Sequence, residues 1–170
     1  MPTVKPARIV VTRLDRVGDL ILSTPAIASL RRSFPQAHIT AVCSLYNSVV
    51  LRNNTDVDEL LAVPEGASVK EFGAQFRGKC DLAVALAPRI EDMRLVGATR
   101  APVRVGYTYR RRWLARLSAR RFLNRMAVSN ADPDDCERDA RLVVAHEVDQ
   151  VLELVRLASN EAPFPPLPAV

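Results

Sequence analysis

Two histidines, three cysteines and six glycines are few for 170 residues, and their placement removes several chemistries at once. His38 and His146 stand apart from each other and from every cysteine, and no acidic calcium-type loop occurs, so no protein-bound metal is expected. Cys43, Cys80 and Cys136 form no Cys-x-x-Cys pair and read as reduced, mostly structural thiols. The glycines are scattered singly, without a Walker-type phosphate loop or a Gly-x-Gly-x-x-Gly turn, and no organic cofactor is implied. No serine sits in a Gly-x-Ser-x-Gly elbow, which removes the usual serine hydrolase nucleophile. No segment approaches the roughly 18 uncharged apolar residues of a membrane span. Met1 to Arg8 lacks the apolar core of a signal peptide, so a cytoplasmic protein is expected.

What is present suits a globular domain. A hydrophobic fraction of 48% can bury one sizeable core, and a charged fraction of 25% is ordinary for a folded chain. Apolar blocks alternate along the sequence: strands over 8–13, 38–43, 59–63, 81–86 and 103–107, and helices over 19–33, 45–52, 68–77 and 90–99. Crossovers of this length predict an α/β fold, a Rossmann-like parallel sheet with helices on both faces. A last helical pattern runs from Asp134 to Ala158 and holds His146, read as a solvated or core-edge residue rather than a ligand. Pro163, Pro165, Pro166 and Pro168 then read as a linker, giving a domain over 1–160 and a Pro-rich tail over 161–170.

The most informative segment joins the first strand to the first helix: Arg13-Leu14-Asp15-Arg16-Val17-Gly18-Asp19, then Leu20-Ile21-Leu22-Ser23-Thr24-Pro25-Ala26. A strand-to-helix turn of this kind opens at the carboxyl edge of a parallel sheet, where ligands bind. Gly18 is expected to take a backbone angle that other residues resist, and Asp19 to begin the helix beside its free N–H groups. Two readings of Asp19 follow from spacing alone: an acid that only caps the helix and complements its dipole, or a fixed functional carboxylate. Arg13 and Arg16 either bind an anion through their planar forks or pair with Asp15 and Asp19. Ser23 and Thr24 read as packing and capping residues, with Thr24-Pro25 shaping the helix.

The whole string, Arg13-x-Asp15-Arg16-Val17-Gly18-Asp19-x-x-x-Ser23-Thr24-Pro25-Ala26 followed by Leu30-Arg31-x-x-Phe34-Pro35-x-Ala37-x-Ile39, resembles the opening of glycosyltransferase family 9. That family includes the ADP-heptose:lipopolysaccharide heptosyltransferases. Shorter likenesses follow at Val57-Asp58-Glu59, Cys80 to Leu86, Arg104-Val105-Gly106-Tyr107 and His146-Glu147-Val148. The resemblance implies the acceptor-side half of a two-domain GT-B enzyme, whose nucleotide-sugar half is absent from this chain. It implies an inverting transfer from a nucleotide diphosphate sugar to a glycolipid of the lipopolysaccharide core. Asp19 would be the general base, and Arg13, Arg16 and Gly18 would meet the acceptor. Where relatives often carry a basic residue and a serine after the fourth strand, this chain reads Ala87-Pro88-Arg89-Ile90-Glu91-Asp92, which points to a different acceptor. A rival reading from another class is a non-catalytic module that binds an anionic glycolipid or a partner.

Arg100 to Arg125 holds nine arginines and no acid. On a helix, Trp113, Leu114, Leu117 and Phe122 would form an apolar stripe amid Arg111, Arg112, Arg116 and Arg120, a pattern suited to the anionic inner face of a membrane. An ordinary solvated surface helix fits equally, because arginine stems pack well on any surface. Nucleic acid is a weaker third partner, since no nucleic-acid-binding motif accompanies the charge.

Overall fold

A computed structural model describes residues 6–110, 112–129 and 146–159. Six parallel strands form one sheet: β1 (Arg8–Arg13), β2 (His38–Ser44), β3 (Glu59–Val63), β4 (Leu82–Ala85), β5 (Val103–Tyr109) and β6 (Arg125–Ser129). Their order is β3-β2-β1-β4-β5-β6, so the chain winds outward from β1 first one way and then the other. β1 pairs with β2 from Arg8 opposite His38 to Arg13 opposite Cys43, and with β4 from Ile9 opposite Leu82 to Thr12 opposite Ala85. The β-branched run of β1 suits a central strand buried on both faces. Its side chains alternate, Ile9 and Val11 entering one core and Val10 the other.

Helices α1 (Val17–Ser33) and α5 (Glu147–Ser159) pack against each other on one face, burying Leu20, Ile27, Leu30, Val151 and Leu154 with Tyr107. On the other face lie α2 (Val69–Ala74), α3 (Ile90–Thr99) and α4 (Trp113–Ala119), around Phe76, Met93, Leu95, Val96 and Leu123. Gly73 lets α2 approach α3 closely: a Cβ there would lie 2.3 Å from the Leu95 carbonyl oxygen. No helix among the described residues is long and apolar enough to cross a membrane.

Helix α1 tolerates Pro25 because its neighbours satisfy what proline cannot. Pro25 has no N–H for the Ile21 carbonyl four residues back, and the Thr24 hydroxyl donates to that oxygen at 2.8 Å instead. Just before Thr24, the buried Ser23 donates its hydroxyl to the Asp19 carbonyl at 2.8 Å.

Several boundaries differ from the sequence reading. The helix expected over 45–52 is a single 3₁₀ turn, Ser48–Leu51, and α4 is a short piece of the basic segment. Beyond it lies β6, which the sequence reading did not contain: a half-buried strand pairing with β5 from Val105 opposite Arg125 to Tyr109 opposite Ser129. His146 is exposed and precedes α5, its Nδ1 accepting the Val148 N–H at 3.3 Å. Cys43 and Cys80 are buried free thiols, and burial pushes Cys43 up to about 12. Arg111, Cys136, the start of the predicted last helix and the Pro-rich tail lie outside the described residues.

Candidate active site

All six strands run the same way, so Arg13, Ser44, Val63, Ala85 and Tyr109 end at one edge of the sheet. The turn from β1 to α1 crosses this edge and is held from below by Arg13, whose side chain is 3% exposed. Arg13 Nε and Nη2 donate to the two carboxylate oxygens of Asp15 at 2.8 and 3.2 Å. Its Nη1 reaches Glu147 at 2.7 Å, the Leu86 carbonyl at 2.6 Å and Ser23 at 3.2 Å. A guanidinium so engaged, bidentate on one carboxylate and bonded to a second, is fixed rather than free to seek a ligand. Of the two roles the sequence left open for Arg13, ion pairing is the one realised here.

Three further side chains complete the frame. The buried Asn47 amide donates to the Arg13 carbonyl at 3.0 Å and to the Asp15 carbonyl at 3.1 Å. Tyr107 donates its hydroxyl to Glu147 at 2.9 Å. Asp92, on the first turn of α3, accepts from the Leu14 N–H and the Thr12 hydroxyl, each at 3.1 Å.

Asp19 rises from this frame. Helix α1 begins at Val17 with Arg16 as its N-cap, so Asp19 is the third helical residue rather than the first. Among the described residues its carboxylate accepts no backbone hydrogen bond, and Arg13 Nη2 at 3.6 Å is its ion-pair partner. The side chain is 35% exposed. Partial burial pushes its carboxyl above the ordinary aspartate range; Arg13 opposes this shift, while Asp15 and Glu147 add to it. The capping geometry expected of Asp19 is therefore absent, and the helix dipole is what it shares with a capping acid.

The two remaining residues of the turn are open to solvent. Arg16 is exposed and near enough to Asp19 to act on its charge. Gly18 departs from expectation: its φ is not positive, it lies within α1, and a Cβ added there would meet nothing within 4 Å. Gly18 thus leaves an uncovered surface beside Asp19 rather than enabling a special turn.

On the α2–α3 side of the turn, a cleft of about 450 Å³ is bounded by Leu14, Tyr46, Pro64, Glu65, Arg89 and Glu91. Arg89 lies 3.6 Å from Glu91, so the arginine that lines the cleft among the described residues has an acid beside it. At the same edge α4 leaves β5 with Trp113 63%, Leu114 64% and Leu117 59% exposed, while Ala119 is buried. Phe122 does not join this stripe; it packs against Gly97 and the inner core. Arg112 lies 5.5 Å from the Tyr109 ring centre, Arg116 donates to the Arg110 carbonyl at 3.2 Å, and Arg120 is exposed.

Glu147, Asn47 and Tyr107 were not singled out as site residues from sequence, and Asp92, read there as part of an altered acceptor stretch, is fully buried instead. The one available signal was that a strand-end arginine, if buried, needs carboxylates around it. Nothing in spacing shows that one of them lies 134 residues away.

No family model matches the chain, and no curated protein matches it. Solved structures do. A glycosyl transferase family 9 protein from Veillonella parvula is 25% identical at a TM-score of 0.69, covering 93% of this chain and 42% of that one. The heptosyltransferase WaaC of E. coli with ADP is 17% identical at 0.69, covering 92% and 48%. The ADP-heptose lps heptosyltransferase II of E. coli is 22% identical at 0.62, covering 87% and 40%. This chain thus spans less than half of each of these three structures. Its six-stranded Rossmann-like sheet resembles a domain of GT-B glycosyltransferases, and over most of its length the chain is similar to part of glycosyltransferase family 9 and heptosyltransferase structures.

Proposed function

We propose that this chain supplies the acceptor side and general base of an inverting glycosyl transfer, from a nucleotide diphosphate sugar of the heptose type to a hydroxyl of a lipopolysaccharide-core or related glycolipid. A sugar hydroxyl is too weak a nucleophile to displace the donor unless its proton is accepted as it attacks. In the reaction the hydroxyl oxygen bonds to the anomeric carbon from the face opposite the leaving group. The bond from that carbon to the diphosphate breaks, the nucleoside diphosphate departs with the electron pair, and the proton passes to Asp19. The observation that carries this reading is Asp19 itself, a partly exposed carboxylate at the carboxyl edge of the sheet, 3.6 Å from a buried arginine and not consumed by capping. Arg16 and the open surface at Gly18 would meet the acceptor, with Arg13 acting behind them. The donor would be held mainly by a second domain.

The acceptor lipid would be reached at an anionic membrane surface through α4. Three large apolar side chains exposed on one short helix, flanked by arginines, complement a leaflet of negative charge.

Asp19→Asn tests the assignment in a protein that carries both domains. Asparagine accepts a helix N–H as aspartate does, so a cap would survive the exchange, whereas loss of a general base lowers turnover by about two to four orders of magnitude. A variant with near wild-type turnover would refute Asp19 as the general base.

A further inference from the structure

Asp92 is fully buried, and its two carboxyl oxygens are treated differently. Oδ1 accepts two hydrogen bonds, from the Leu14 N–H and the Thr12 hydroxyl, and so ties α3 to the end of β1 and the start of the turn. Oδ2 has no partner among the described residues. The charged groups facing it are Asp15 and Arg13 from the turn, and the Cys43 thiol lies nearby on β2. Arg13 is already engaged by Asp15 and Glu147, so among the described residues Asp92 has no cation of its own. A buried carboxylate with an unpaired oxygen is costly, and the usual outcome is that the group keeps its proton.

We infer that Asp92 is a positioning residue that holds the Asp19-bearing turn in place as a neutral carboxylic acid, and that ionising it loosens the turn. In the neutral state the proton sits on Oδ2, leaving Oδ1 to accept from Leu14 and Thr12. When the proton leaves, the charge has no partner among the described residues, and relieving it draws in water at the Leu14–Asp15 turn that Asp92 holds. The electrostatics point the same way: burial, aided by Asp15, pushes the carboxyl up to about 7 against the pull of its hydrogen bonds and Arg13. The turn therefore carries a pH response separate from the titration of Asp19.

Hydrogen exchange at the Leu14 amide, corrected for intrinsic rate, tests this between pH 5.5 and 8.5 in the wild-type chain and in Asp92→Asn. Protection in the wild type is expected to fall by at least about tenfold across this range, as for a group that titrates near its middle. Asp92→Asn, with no proton to lose, should hold its protection nearly constant. Constant wild-type protection, or an equal fall in the variant, overturns the inference. Should the variant not fold, a carbon NMR titration of the wild-type Asp92 carboxyl decides instead, and a midpoint below about pH 5 is fatal to the idea, being close to an unperturbed aspartate. The consequence for turnover rests on Asp19 being the base; exchange at Leu14 does not, so the two readings fail separately.

Discussion

Replacing Arg13 by methionine removes the buried positive charge that ties Asp15 and Glu147 to the turn while keeping much of its volume. Asp15 and Glu147, 9% and 19% exposed, would be left without the cation that balances them. Lost with it are the bonds to the Leu86 carbonyl and the buried Ser23 hydroxyl. Truncating one member of a buried ion pair costs about 3–5 kcal/mol, because the partner charge stays behind unpaired. For a chain of this size each kcal/mol lowers the melting temperature by about 2–4 °C, so a drop of roughly 6–20 °C is expected. Urea unfolding followed by circular dichroism gives the free energy directly. Adding Glu147→Gln to the variant should restore part of the loss, since one orphaned carboxylate is then neutral. The two changes are expected to be non-additive by about 0.5–3 kcal/mol. If Arg13→Met costs less than about 1 kcal/mol, as a surface pair would, the turn does not rest on Arg13 and the account of its frame is wrong.

Gly73→Ala should destabilise by about 1–3 kcal/mol, because the new methyl meets the Leu95 carbonyl oxygen at 2.3 Å; Gly97→Ala should destabilise somewhat less, because its contacts with Phe122, 2.7 Å to the ring, 3.0 Å to Cβ and 3.1 Å to the backbone Cα, are less severe. Thermal melts of the two variants check the order. Sedimentation with anionic vesicles should be strong at low salt, weaken as salt rises and vanish with neutral lipid, each arginine contributing on the order of 1 kcal/mol. Trp113→Ser with Arg112, Arg116 and Arg120 changed to Gln should abolish it without unfolding the chain, and undiminished binding, or binding to neutral vesicles alike, refutes the surface assigned. Asp92 also predicts a pH trend: its carboxyl keeps its proton to about pH 7 when folded but to only about 4 when unfolded. Stability should therefore fall as pH rises from about 4 to 7 and then level off, by up to about 4 kcal/mol, and Asp92→Asn should flatten the curve in urea titrations.

The sheet was legible because its central strands are buried on both faces and must be apolar throughout. Ile9-Val10-Val11 and Leu82-Ala83-Val84-Ala85 cannot be read otherwise, and the helical spacing between them forces parallel pairing. β6 was hidden for the converse reason: with one neighbour among the described residues, Arg125 to Ser129 shows only a half-buried pattern, and the arginines before it mask that pattern. The candidate site was legible in its exposed part and illegible in its support. Asp19 and Arg16 lie on one local turn, whereas Glu147 and Asp92 reach Arg13 and Leu14 across 134 and 78 residues. Such pairs are set by topology, which brings the starts of α3 and α5 to the end of β1, and local spacing carries no trace of it. Gly18 shows the opposite error, a local rule applied where the backbone is ordinary and the missing side chain matters instead.

The strand order also explains why one edge serves both proposed tasks. β4 alone separates β1 from β5, so the Asp19 turn and the start of α4 leave the sheet two strand spacings apart, about 10 Å. Tyr109 ends β5, Arg112 and Trp113 follow at once, and the exposed apolar residues thus begin beside the edge where Asp19 stands. A membrane engaged by Trp113, Leu114 and Leu117 would lie next to that edge, not across the molecule from it. An acceptor anchored by its lipid could then extend its sugar toward Asp19 without leaving the leaflet. This geometry makes the two proposals interdependent in a measurable way. Changing Trp113 and the flanking arginines should raise KM for a lipid-embedded acceptor while leaving kcat and the rate with a water-soluble acceptor analogue unchanged, because no group that touches the reacting atoms is altered. A fall in kcat with both acceptors would mean that α4 supports the site itself, and that its exposed face has been misread as a membrane surface.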